Sequence, residues 1–206
     1  KLITVEQMEQ ATERLLETGR KVGADSWQQR VKNQTPHCKF GEEGICCRIC
    51  SMGPCRVTPK APRGICGCDV HGIVARNYLR FTAGGAATHS DHGRSICHTL
   101  YLAKEGGNYT VKDPEKLKRI AGEWGIETEG RDIYDLAHEV AETALMEYGK
   151  PFGYTRFIQR APEHTQKLWH DAGIEPRAID REVSQSLHMT HMGCSSLPEA
   201  LIRQSL

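Results

Sequence analysis

An all-α fold is the class this sequence predicts, and three observations predict it. Apolar residues recur at helical rather than alternating spacing, side chains that cap helices stand ahead of several of those runs, and glycine, proline and cysteine crowd into one loop-rich stretch near one end. Taken in order, Thr4 followed three residues later by Gln7 reads as a capping box. Val5, Met8, Leu15, Leu16 and Val22 continue it as an approximate helical stripe closing near Gly23. Across residues 35–69 the pattern changes, because Gly41, Gly44, Gly53, Gly64, Gly67, Pro54, Pro59 and Pro62 interrupt any regular element. Helical signals return over residues 70–79, and again after Gly84, Gly85, Ala86 and Ala87 towards Lys104. Asp113 is a good N-cap with Pro114 at the first helical position. Ile133, Leu136, Ala137, Val140, Ala144 and Leu145 form an amphipathic stripe ending near Gly149. Further helices are expected over residues 162–171, 177–192 and 198–206. No convincing alternation announces a strand. The expected organisation is an N-terminal helical segment (1–34), a cysteine segment (35–69) and a helical domain (70–206).

The whole chain excludes several classes. Its 206 residues, 38% hydrophobic, are enough to bury a core. With 27 basic against 26 acidic residues there is no electrostatic case for nucleic acid or an anionic membrane. No apolar run approaches the roughly 20 residues that cross a bilayer. The reading is therefore a cytoplasmic protein with no membrane span and no nucleic-acid partner. Of nine cysteines, six lie between Cys38 and Cys66, a crowding that in such a compartment favours metal over disulfides.

The run Cys38, Cys46, Cys47, Cys50, Cys55, Cys66 has gaps of seven, zero, two, four and ten residues. Cys47 and Cys50 form a short chelate loop, and Cys55 and Cys66 can fold back to complete four ligands. Such a set suits a cubane iron-sulfur cluster or a structural zinc. Zinc more often uses two short paired knuckles, and here the second pair would be Cys66 and Cys68 with one residue between them, so the spacing favours iron and sulfide. Cys38 and Cys46 remain. Brought together with the same pair of a second copy across a two-fold axis, they would surround one shared cluster. Alternatively they are small buried residues.

The stretch Cys38-Lys-Phe-Gly-Glu-Glu-Gly-Ile-Cys46-Cys47-Arg-Ile-Cys50-Ser-Met-Gly-Pro-Cys55-Arg56, with Gly64-Ile65-Cys66-Gly67, closely resembles the N-terminal segment of anaerobic nickel-iron carbon monoxide dehydrogenases. The likeness extends through Ile73-Val74-Ala75-Arg76, the Ala83-Gly84-Gly85-Ala86-Ala87 stretch with His89, Lys112-Asp113, residues 122–130, and Met192-Gly193-Cys194. That resemblance implies a homodimer in which CO and water become CO₂, two protons and two electrons at a nickel-iron-sulfur centre. It implies that Cys47, Cys50, Cys55 and Cys66 ligate a private [4Fe-4S] cluster, while Cys38 and Cys46 from both subunits hold an intersubunit cluster on the dimer axis. The family's downstream α/β domains, which supply the ligands of the nickel centre, have no counterpart in this chain, so the nickel-iron-sulfur cluster is expected only in a full-length member. Ferredoxin or a similar carrier, and in some members acetyl-CoA synthase, are the implied partners.

The resemblance also places a proton-conducting series at His89, His92 and His98, with Ser95 where another histidine is usual. His89 and His92 sit one helical turn apart, but His98 falls half a turn out of line, so no single-faced wire follows from spacing. Asp91 can orient either of the first two. Cys68, Cys97 and Cys194 read as thiols outside the ligand set, and His188, His191, Met189 and Met192 as one face of a buried helix rather than a soft-metal site. Lys39, Arg48, Arg56 and Arg63 are candidates for offsetting the charge of thiolate-bound clusters. The rival readings are a hybrid-cluster-type redox protein and a zinc-stabilised interaction domain.

Overall fold

A computed structural model of the chain describes residues 4–106, 108–191 and 194–206. The described residues are predominantly helical, as expected, and separate into two compact units, Lys1–Glu43 and Gly44–Leu206. The boundary falls inside the cysteine-rich stretch.

In the first unit, helix α1 (Val5–Lys21) opens on the predicted capping box: the Thr4 hydroxyl accepts from the Gln7 N–H, and the Gln7 side chain accepts from the Thr4 N–H. A second helix, α2 (Trp27–Asn33), is not announced by any stripe and is set by Ser26, whose hydroxyl accepts from the Gln29 N–H. A single turn, α3 (Lys39–Glu42), follows Cys38. None of the three contains a buried residue.

The second unit is organised around α4 (Val70–Leu102), which packs against α6 (Ile133–Tyr148), α8 (Ile179–Thr190) and α9 (Pro198–Ser205). Helix α5 (Pro114–Glu123) lies on α6 and is capped by Asp113, as its Asp-Pro start predicts. Helix α7 (Glu163–Ala172) lies between α6 and α8 in the chain. The sequence suggests a break in α4 at Gly84 and Gly85, yet the helix runs through. Mid-helix glycine costs only about 1 kcal/mol against alanine, which the burial of Ile73, Ala75, Leu79 and Ala83 on the same helix outweighs.

Three apolar clusters hold the unit. Leu117, Ala121, Leu136, Ala137 and Val140 join α5 to α6, with Leu100 of α4 packed against them. Ala75 and Leu79 of α4 meet Leu201 of α9, with Met189 of α8 alongside. Ile73, on the first turn of α4, packs on Cys47 and Cys68. Full burial of a leucine contributes roughly 1.5–3 kcal/mol, so the side chains of Leu79, Leu136 and Leu201 hold the bundle together. One short ladder accompanies the helices. Strands β1 (Cys46–Cys47) and β2 (Cys55–Arg56) form a two-residue antiparallel ladder, too short for alternation to be read in the sequence.

Candidate metal centre

The ladder decides which way the adjacent cysteines point. Its register places Cys47 opposite Cys55 and Cys46 opposite Arg56. Successive side chains of a strand leave opposite faces, so Cys47 and Cys55 share one face and Cys46 projects from the other. The turn between the strands is tight: a Cβ on Gly53 would stand 3.1 Å from the Cys55 nitrogen and 3.2 Å from the Cys47 carbonyl oxygen, which only glycine avoids. A second turn returns the chain at Cys66, where the Gly64 N–H donates to the Cys68 carbonyl and the Gly67 N–H to the Gly64 carbonyl, both at 2.8 Å. Gly67 takes the left-handed conformation there, with φ +86°.

Cys47, Cys50, Cys55 and Cys66 thereby line one small cavity of about 20 Å³, partly open to solvent. Ile49, Ile65, Ile73 and Thr190 complete its wall, and Cys46 is not among the lining residues. Among the described residues no three His, Cys, Asp or Glu side chains converge closely enough to hold one metal ion. The four thiols share the lining of this one space. Two donors are aimed at sulfur. The Ile65 N–H points to Cys55 Sγ at 3.4 Å, and Arg76 Nη1 points to Cys66 Sγ at 3.4 Å.

Arg76 is 2% exposed, on the second turn of α4. Its Nε donates to the Ser195 carbonyl at 2.8 Å, Nη2 donates to the same oxygen, and none of these bonds reaches a carboxylate. Burying a guanidinium is costly, and among the described residues no carboxylate pairs with it, so its free N–H is turned to the Cys66 sulfur at the cavity. The hydrogen bond from Arg76 holds the Cys66 thiol below the ordinary cysteine value, against the opposing effect of burial. Cys68, by contrast, is 1% exposed and pushed up by burial, and stays outside the cavity lining.

The other expected residues are placed as follows. Asn77 donates both amide hydrogens upstream, to the carbonyl oxygens of Gly44 at 2.9 Å and Cys46 at 3.0 Å, and so fixes Cys46 on α4. Cys38 is exposed in the first unit, ahead of α3. His89, His92 and His98 are all exposed on α4 and no described hydrogen bond joins them; His89 Nδ1 lies 2.9 Å from the Gly85 carbonyl. Ser95 hydrogen-bonds the Asp91 carbonyl instead of a histidine. Cys97 lies against Tyr148, and burial raises both their pKa values. His188 and His191 are exposed and only Met189 faces the core, so these do not form one buried face; Met192 and Gly193 of the Met-Gly-Cys motif lie outside the described residues. Cys194 is exposed.

Lys39, Arg48 and Arg63 are exposed, as is Arg56. Arg76, whose Nη1 reaches the Cys66 sulfur, is not among those candidates. A signal for it is present in the sequence: with Arg80 it is a charged residue at the helical repeat of Ile73 and Ala83.

A helical bundle whose longest helix rises from a four-thiol cavity defines the class as a helical protein with a cysteine-lined site. The chain belongs to the Prismane/CO dehydrogenase family, which residues 45–206 match. It is 45% identical over 188 residues to carbon monoxide dehydrogenase 1 of Methanosarcina mazei, covering 89% of this chain and 30% of that relative. The carbon monoxide dehydrogenase of Thermococcus sp. AM4, in an as-isolated nickel-free crystal structure, superposes with a TM-score of 0.84 at 42% identity, over 93% of this chain and 31% of that one. An acetyl-CoA synthase/carbon monoxide dehydrogenase whose alpha subunits carry NiZn[Fe4S4] and NiNi[Fe4S4] clusters superposes at 0.82 and 35% identity, over 93% and 30%. The chain thus spans about 30% of the length of the relatives it matches. No described helix is long and apolar enough to cross a membrane.

Proposed function

We propose that this chain is the cluster-bearing helical part of a nickel-iron carbon monoxide dehydrogenase, relaying electrons released when CO and water become CO₂ and two protons. One observation carries the reading: Cys47, Cys50, Cys55 and Cys66 line a single cavity against a buried Arg76 that makes no ion pair with a carboxylate among the described residues. A [4Fe-4S] cluster bound there supplies one-electron transfer. The protein's own contribution is to fix the four thiols, to aim the Ile65 N–H and Arg76 at sulfur, and to exclude water with Ile49 and Ile73. Nickel chemistry is assigned to regions of the relatives that have no counterpart in this chain.

Cys46 belongs to a second site in this reading. The ladder turns it away from the cavity and Asn77 fixes its backbone, so it is free to join Cys38 and the same pair of a second copy in a cluster shared across a homodimer axis. Exposed apolar side chains on the first unit, among them Val5, Met8, Leu15 and Trp27, support a covered face in the assembly. The outward Cys46 also favours this assignment over a hybrid-cluster-type protein, which needs only the four-thiol set. Ferredoxin or a similar carrier is the proposed electron acceptor, with acetyl-CoA synthase a further partner, and the cytoplasm the proposed compartment. His89, His92 and His98 are proposed to pass protons outward; His98 faces about half a turn away from His89 on α4, so water must complete the path.

The test is anaerobic iron, sulfide and zinc analysis with EPR after dithionite reduction. About six irons per chain, with sulfide and a reduced-cluster signal, are expected for one private cubane and half of a shared one. One zinc without sulfide would leave a zinc-stabilised interaction domain in place of the redox reading. In Cys38→Ser the shared cluster should be lost and the private one retained; unchanged iron content and unchanged spectra would refute the division of ligands.

A further inference from the structure

We propose that Arg76 sets the reduction potential of the cluster held by Cys47, Cys50, Cys55 and Cys66, raising it by placing a fixed, buried positive charge on the Cys66 sulfur. The inference rests on the reading that these four cysteines hold an iron-sulfur cluster, and it goes beyond that reading in naming the residue that tunes it.

The geometry separates Arg76 from every other cation near the cysteines. Arg48, Arg56 and Arg63 are exposed, where water and salt screen their charge. Arg76 is 2% exposed, and in such surroundings a unit charge acts several-fold more strongly than at the surface. It is also immobilised. Two arms of the guanidinium, Nε and Nη2, converge on the Ser195 carbonyl, a residue 119 positions away, and this leaves Nη1 directed at Cys66 Sγ at 3.4 Å. The clasp is itself anchored: Arg80, one turn on, donates from Nε to Thr190 Oγ1 at 2.7 Å, and Thr190 is fully buried in the cavity wall. The Ser195 carbonyl thus holds Arg76, Thr190 holds Arg80 one turn on, and Arg76 in turn meets the Cys66 sulfur.

The direction of the effect follows from charge. One electron added to the cluster adds one negative charge and breaks no bond, so a nearby cation stabilises the reduced form more than the oxidised form. A charged N–H aimed at sulfur adds to this, because electron density on the thiolates rises on reduction. A purely structural clasp would hold α4 to the Ser195 segment with no such preference.

The experiment compares the full chain with Arg76→Met, which has a similar length without charge, and Arg76→Lys, which keeps charge without the fork. Iron and sulfide are counted first, and the reduced fraction is then followed by EPR in a potentiometric titration. At a fixed potential near the midpoint, Arg76→Met is expected to lower the reduced-to-oxidised ratio about tenfold, which is about 59 mV for a one-electron couple. Arg76→Lys is expected to recover part of that loss. In wild-type protein labelled with ¹⁵N-arginine, pulsed EPR of the reduced cluster should show a ¹⁵N coupling that both variants lack. A loaded Arg76→Met protein with an unchanged midpoint overturns the proposal and leaves a structural clasp. If neither variant retains iron, absence of the ¹⁵N coupling in wild type overturns it and its presence supports it. Wild-type protein without iron and sulfide defeats the cluster reading itself, before any potential is measured.

Discussion

Close packing at single positions on α4 shows how little room the cysteine region has. A Cβ on Gly72 would overlap Cys68 Sγ and stand 3.1 Å from the Ser196 carbonyl oxygen, and Cys68 cannot retreat because it is buried between Ile73 and Cys47. Gly72→Ala should therefore destabilise the chain by about 1–3 kcal/mol, as overpacking of a tight site does, despite alanine's better helix propensity. Chemical denaturation of the cluster-loaded protein checks this, and a variant as stable as wild type would show that the segment around Ser196 yields freely. At this scale the sequence was legible where chemistry is concentrated in one residue type. The spacing of Cys47, Cys50, Cys55 and Cys66 is enough to group them, and the structure gathers the same four around one cavity. Arg76 and Asn77 were not legible as partners of that site, because each acts across a long stretch of chain: Arg76 on Ser195, Asn77 on Gly44 and Cys46. The outward face of Cys46 was equally hidden, since a two-residue ladder carries no periodicity.

Helix ends were the best-read elements, because their signals are local. Thr4 with Gln7, and Asp113 with Pro114, need only three neighbouring residues to specify a start, and both caps form. The continuity of α4 through Gly84 and Gly85 was misread for the opposite reason: packing against α6, α8 and α9 overrides a local breaker. Since α1 buries none of its side chains, its cap should matter more than one on a packed helix. Thr4→Ala is expected to cost the first turn about 1 kcal/mol, seen as roughly fivefold faster amide exchange at Gln7. Unchanged exchange there would mean that contacts in the assembly, rather than the cap, hold α1. Helix α8 offers a test by pH. Burial raises the Glu182 pKa, but hydrogen bonds from Arg177 and Gln204 together outweigh it and the net shift is downward. A depressed carboxylate stabilises the fold above the ordinary glutamate value and loses that contribution as pH falls below it. Glu182 accepts from Arg177 Nε at 2.5 Å, from Arg177 Nη2 at 2.9 Å and from Gln204 Nε2 at 2.7 Å, so it ties α8 to α9 as well as to the segment before it. Glu182→Gln should melt below wild type near pH 7, and the gap should close as pH drops below about 4.3. A gap of constant size across that range would remove the ionised carboxylate from the account.

Over the whole molecule, stability is divided between two unlike sources. Helices α4, α5 and α6 are held by Leu117, Ala121, Leu136, Ala137 and Val140 with Leu100, a core that contains no ligand cysteine. The stretch from Gly44 to Asp69 buries only Cys47 and Cys68, and is otherwise shaped by turns, a two-residue ladder and four thiols facing a cavity. Without a cluster those thiols have nothing in common to bind, and Arg76 faces them as a buried cation whose other bonds, among the described residues, reach the Ser195 carbonyl. That arrangement is unfavourable, because an unpaired buried charge is paid in full desolvation cost. Removing iron should therefore unfold the molecule in part: amide protection is expected to fall across residues 46–68 and in the first turns of α4 as far as Arg76, while Leu136, Ala137, Val140 and Ala144 on α6 keep theirs. Hydrogen exchange with mass spectrometry on the loaded and iron-free protein reads both regions at once. Loss of protection everywhere would make the cluster the organiser of the entire fold. Retention everywhere would mean that the cysteine segment holds its shape through backbone hydrogen bonds alone, and that the cavity beside Arg76 is preformed for the cluster rather than stabilised by it.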